Sequence, residues 1–147
     1  MKSLNFLLVI LLFALLVSCT AEKKNKLEGA WELVSARHTT PATTNEFTQA
    51  DWKQIKLITK SHFVFVRQGR NDPAKAFLAG GGKYTFEGDM YTEHIEFFST
   101  PNYVNISIPY KCQVEGDQWT ISGKIPLKSL GFADYDLEIT QVWRRIE

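Results

Sequence analysis

Leu27-Glu28-Gly29-Ala30-Trp31-Glu32-Leu33-Val34-Ser35 is the stretch on which the reading of this chain turns. A glycine followed two residues later by tryptophan lets the backbone approach a neighbouring element closely at Gly29, while the Trp31 ring plugs the end of a core. Gly29 to His38 has the period of a strand, with Trp31, Leu33, Ser35 and Arg37 on one face. Downstream, Thr39 to Asn45 is a Thr- and Pro-containing loop. Thr48 ahead of Gln49-Ala50-Asp51-Trp52 reads as the N-cap of a short helix within Phe47 to Gln54.

Strands then follow almost without interruption. Ile55 to Thr59 and His62 to Gln68 flank a turn at Lys60-Ser61, with Phe63, Phe65 and Arg67 on one face of the second. Gly69-Arg70-Asn71-Asp72-Pro73 breaks that strand. Ala79-Gly80-Gly81-Gly82 lacks the Lys-Ser/Thr pair and the helix of a phosphate loop, and reads as the flexible start of a strand. Tyr84-Thr85-Phe86-Glu87-Gly88-Asp89-Met90-Tyr91 is echoed by Cys112-Gln113-Val114-Glu115-Gly116-Asp117-Gln118-Trp119. Each is a hairpin signature around Gly-Asp, which sets Phe86 opposite Tyr91 and Val114 opposite Trp119. This register turns Tyr84, Phe86, Tyr91, Glu93, Ile95 and Phe97 inward and Met90, Thr92, His94, Glu96 and Phe98 outward. Ile106, Ile108, Tyr110, Cys112 and Val114 alternate cleanly. Tyr135 to Ile146 forms the last strand, with Leu137, Ile139, Gln141, Trp143 and Arg145 in phase. The sum is an all-β domain of about eight antiparallel strands joined by short connections, the number at which an up-and-down barrel closes and removes its edges.

The other end of the chain carries an address. Phe6 to Val17 contains no polar residue, yet it is shorter than the ~20 residues that span a bilayer as a helix, and so reads as the core of a secretory signal. Leu16-Val17-Ser18-Cys19 resembles the bacterial lipobox, which implies removal of residues 1–18, lipidation of Cys19 and a tether over 19–26. The polar Thr20-Ala21-Glu22-Lys23-Lys24-Asn25-Lys26 suits a tether. Two or more acyl chains anchor stably where a single chain holds only marginally. By resemblance to the enterobacterial sorting rule, Thr20 after the cysteine implies an outer-membrane anchor in the bacterial cell envelope. Lys2 is the one charged residue in the first 18, so the remainder carries 16 basic and 16 acidic side chains. That balance, without a basic run interleaved with aromatics, argues against nucleic acid as a partner. With Cys19 committed, Cys112 is left unpaired and reads as a buried, inert thiol.

From Gly29-Ala30-Trp31 and the strand count, residues 27–147 resemble the lipocalin and fatty-acid-binding group of β-barrels, whose first strand opens with Gly-x-Trp. The resemblance implies a helical lid after the first strand and an arginine near the chain end packed across the first-strand tryptophan; Arg145 has the better parity for this and Arg144 is the alternative. It also draws attention to Gln141-Val142-Trp143, which stands where fatty-acid-binding proteins carry an Arg-x-Tyr that grips a carboxylate. Gln141 donates a hydrogen bond but has no charge, so a neutral or amphiphilic ligand fits this position better.

Candidate ligand-binding residues are Arg37, Phe65, Arg67, Tyr84, Glu93, Tyr110 and Gln141, and Gly29, Trp31, Trp143 and Arg145 form the structural signature. A buried Glu93 needs a cationic partner, for which Arg37 and Arg67 are the candidates. Glu93, His94 and Glu96 do not share a face, and no metal or cofactor is expected. No Gly-x-Ser-x-Gly or His-Glu-x-x-His motif supports a catalytic residue. Three functions follow: a barrel that binds a small lipophilic or amphiphilic molecule, a filled barrel that docks an envelope protein through its loops, or an enzyme with a site at the barrel mouth.

Overall fold

A computed structural model describes residues 25–72 and 77–147. Among the described residues nine strands make one antiparallel sheet: β1 Gly29–Thr39, β2 Thr44–Thr48, β3 Trp52–Ile58, β4 His62–Gly69, β5 Leu78–Glu87, β6 Met90–Phe98, β7 Ser107–Glu115, β8 Gln118–Ile125 and β9 Leu137–Arg145. β1 pairs with β9 along its length, from Trp31 opposite Arg145 to Thr39 opposite Glu138, and β1 also pairs with β3. That pairing closes β1 and β3 to β9 into an eight-stranded barrel. Both Gly-Asp hairpins have the register expected from their echo, with Phe86 opposite Tyr91 and Val114 opposite Trp119.

The expected helix after the first strand is not formed. β2 takes its place, pairing with the second half of β1 while β3 pairs with the first half. Thr48 does cap a turn, since its hydroxyl accepts from the Ala50 amide at 3.2 Å, but Asp51 closes the turn at once by accepting from the Thr48 amide at 2.8 Å. The chain reverses, and Phe47 stacks on Trp52 with ring centroids 4.0 Å apart. The one helical element among the described residues is a 3₁₀ turn at Pro101–Tyr103. No described helix is long and apolar enough to cross a membrane.

Two bulges change which residues face the interior. Between Leu33 and Ser35 the β1 register slips against β9, so Ala36 is buried while Arg37 is exposed, against the expectation that Ser35 and Arg37 continue the inward face. Between Gly81 and Gly82 the register slips by one residue against β6. Beyond that point Phe97 turns out, 51% exposed, and Phe98 turns in against the core, the reverse of the simple alternation. The three glycines lie inside β5 at this irregularity. A Cβ at Gly80 would meet the Phe98 ring at 2.5 Å and one at Gly82, where φ is +156°, would collide with the His94 carbonyl oxygen. Close packing, rather than flexibility, requires glycine here.

One end of the barrel is packed solid. Trp31, Trp119 and Trp143 are fully buried with Tyr91 and Phe63, and Trp31 and Tyr91 meet Trp119 edge-on at 5.4 and 5.2 Å between centroids. Leu27 seals this end, its carbonyl accepting from the Trp31 indole at 2.7 Å. The Arg145 guanidinium lies 4.1 Å from the Trp31 ring centroid and donates to the carbonyl oxygens of Glu28 and Lys26, both at 2.6 Å. Arg144 points the other way and pairs with Glu32 at 3.0 Å.

Candidate functional site

The other end is open and its interior is polar. β3 inverts the usual pattern: Ile55 and Leu57 point away from the interior, while Gln54 and Lys56 are 5% and 3% exposed and point inward. Register then sets Gln54 beside Arg67 and Lys56 beside Phe65 on β4. These side chains line an interior cavity of about 90 Å³ together with Glu93, Tyr110 and Gln141, among others. This is well below the ~300 Å³ at which drug-sized pockets begin.

Of the candidate residues, Phe65, Arg67, Glu93, Tyr110 and Gln141 converge on this cavity. Arg37 does not: the β1 bulge aims it at solvent, where it pairs with Glu46 at 2.8 Å. Tyr84 does not either, since its hydroxyl donates to the Thr59 carbonyl at 2.8 Å at the sealed end and accepts from Asn25. Cys19 and residues 1–18 lie outside the described residues.

Glu93 has a cationic partner, but it is Lys56 rather than Arg37 or Arg67. The Lys56 ammonium is 2.6 Å from Glu93 Oε1, and their side chains are 4% and 6% exposed. Tyr91 donates a second hydrogen bond to the same oxygen at 3.0 Å. The Lys56 nitrogen also stands 4.9 Å from the Trp143 ring centroid and 5.3 Å from that of Trp119, so the pair forms the floor between the cavity and the tryptophan cluster. Burial, reinforced by Glu93, holds the phenols of Tyr91 and Tyr110 well above their ordinary range.

Nearer the mouth the polar groups are less satisfied. Arg67 is half-buried, its guanidinium 4.2 Å from the Trp52 ring centroid, and no carboxylate pairs with it among the described residues. Its buried Nε and the buried Oε1 of Gln54 have no hydrogen-bond partner; the indole nitrogen of Trp143 is the third such atom among the described residues. Burial and the Arg67 charge lower the His38 pKa and so favour its neutral imidazole. A cation with no carboxylate partner and an amide oxygen with no donor among the described residues, held in one small enclosure, can bind a polar group. Sequence reasoning missed Gln54, Lys56, His38 and Tyr103 in this wall. Lys56 was legible in principle from the alternation of Trp52, Gln54, Lys56 and Ile58, but the apolar Ile55 and Leu57 gave the opposite face the greater claim to the core.

No group of three or more His, Cys, Asp and Glu side chains is gathered in metal-binding geometry among the described residues. His94 bonds Ser107 Oγ at 2.8 Å on the outer wall. Cys112 is buried, accepts from the Trp119 indole at 3.2 Å, and has its pKa raised by burial.

Fold and site together define an eight-stranded antiparallel barrel, sealed at one end and polar-lined at the other. Within that class the chain belongs to the family described as "Domain of unknown function (DUF4488)", whose model matches residues 26–147. Among solved structures it is similar to the crystal structure of Rv2717c from M. tuberculosis, at 10% sequence identity over 84% of this chain and 94% of that one, with a TM-score of 0.44. No curated protein sequence matches it.

Proposed function

We propose that the chain is a lipocalin-like envelope lipoprotein that takes a small amphiphilic molecule into the open end of its barrel, held to the outer membrane by acyl groups on Cys19. The observation that carries this reading is the unmatched polar pair, Gln54 Oε1 and Arg67 Nε, in the wall of an interior that otherwise satisfies its buried polar groups with few exceptions. An orphaned buried polar atom costs about 1–3 kcal/mol, a penalty that a bound ligand would relieve. The described chain begins at Asn25 beside Tyr84, at the sealed end.

Native mass spectrometry of the protein recovered from its own membranes, followed by solvent extraction, tests the reading. A stoichiometric small-molecule adduct supports it. A bare acylated chain favours a second reading, a filled barrel that docks a protein partner, for which the tightly packed tryptophan end and the 90 Å³ cavity speak.

A further inference from the structure

The cavity has a charge preference and an exit path, and these narrow the ligand. The basic side chains in its wall are Lys56, Arg67 and His38. Lys56 is neutralised by Glu93 at 2.6 Å, and His38 sits beside Phe47 and Trp52 with its pKa lowered. Arg67 alone among them has no carboxylate partner among the described residues; it is half-buried in the wall against the Trp52 ring, and its buried Nε has no acceptor. A partly buried guanidinium without an anion is costly, and a planar carboxylate is the group that its fork fits best. Beside it, Gln54 is 5% exposed and its Oε1 has no hydrogen-bond partner among the described residues, so no bond at that oxygen opposes a turn of the amide that brings its NH₂ toward the same anion.

The space is too small for a whole amphiphile. About 90 Å³ accepts a carboxylate and one or two carbons. A run of ring contacts leads outward from there: Phe65 meets Phe98 edge-on at 5.6 Å, Phe98 stacks on Tyr103 at 4.5 Å, and Tyr103 stacks on Phe132 at 5.5 Å between centroids. Phe65 is buried and Phe132 is 46% exposed, so the ladder connects interior to surface. Apolar surface of this kind gains by covering an alkyl chain.

We infer that the ligand is a monocarboxylate with an apolar tail, bound head-inward, its carboxylate on Arg67 and Gln54 and its tail along Phe98, Tyr103 and Phe132. This rests on the ligand-binding reading above and names the class of molecule. It also differs from the last-strand grip of the fatty-acid-binding proteins, because the charge comes from β4 and the position on β9 is the neutral Gln141.

Equilibrium dialysis of hexanoate and hexanamide against the full acylated protein in lipid nanodiscs, with empty discs as blank, separates charge from shape. The two probes differ in little but the charge of the head group. Hexanoate is expected to bind at least tenfold more tightly than hexanamide, and Arg67→Gln is expected to erase that preference while leaving the near-ultraviolet circular dichroism unchanged. The wild-type comparison stands even if Arg67→Gln fails to fold. Equal binding of the two probes, or tighter binding of the amide, overturns the carboxylate assignment and leaves the ligand-binding reading intact. Binding of neither probe overturns the assignment, and if the native extract is bare as well, the ligand-binding reading falls with it.

Discussion

Replacing Lys56 by methionine is the perturbation whose cost is best defined. Met nearly matches the volume of the Lys stem and suits a site walled by Trp119, Trp143 and Tyr91, so little packing is lost. What remains is the Glu93 carboxylate, 6% exposed in its side chain and left with one donor, Tyr91. Breaking a buried pair on one side costs about 3–5 kcal/mol, and at this burial solvent does little to screen it. For a domain of this size that lowers Tm by roughly 10–20 °C. Lys56→Met/Glu93→Gln removes both charges and keeps an acceptor for the Tyr91 hydroxyl. It is expected within about 1–2 kcal/mol of the wild type, the residue being one imperfectly bonded amide. Urea unfolding of the two single variants and the double variant gives the coupling energy directly. A Lys56→Met variant within about 1 kcal/mol of the wild type, or a double variant no better than the single, would refute a dry, paired interior.

Further outcomes test the sealed end, the glycine packing and the titrating groups. Trp31→Ala is expected to cost about 3–5 kcal/mol in urea unfolding, against under ~1 kcal/mol if Trp31 lay outside the core. Gly82→Val, which sets a branched side chain against the His94 carbonyl, is expected to prevent folding, whereas Gly88→Asn in an open turn at φ +62° is expected to stay within about 0.5 kcal/mol; circular dichroism and soluble yield report both. Tyr91 and Tyr110 have folded pKa values raised above the unfolded value of 10.0, so their contribution to stability is full below that pH and is lost as pH rises through it. Their phenolate absorbance is therefore expected to appear together with alkaline unfolding and not before it. Cys112 is expected to resist an aromatic disulfide reagent until the chain is unfolded.

The barrel was largely legible because its signals are local and repeated. The Glu-Gly-Asp hairpins fix two registers, and Ile108, Tyr110 and Cys112 show the alternation without ambiguity. The Trp31–Arg145 contact followed once the first and last strands had to pair. The errors cluster at the bulges at Val34 and Glu96, where one extra residue reverses every later assignment on that strand. Arg37 was misplaced this way, and so were Phe97 and Phe98. The helix assigned near Thr48 failed because a side-chain cap is also a turn signal, and β1 offered an unpaired edge for Thr44–Thr48 to fill. In the site, the inverted β3 was the obstacle. Leu57, Val64 and Val66 are 49%, 38% and 45% exposed, so hydrophobicity alone pointed to the wrong wall.

The central claim is that a ligand enters the open end of the barrel. It is tested most directly by amide NMR spectra of the isotope-labelled protein titrated with hexanoate and, separately, hexanamide. Entry of either probe at the mouth predicts shifts at Gln54, Arg67, Phe98 and Gln141, with Trp31 and Trp119 at the sealed end unmoved. Unchanged spectra with both probes together with a bare native extract, or shifts confined to the outer wall at Leu57, Val64 and Val66, would contradict it.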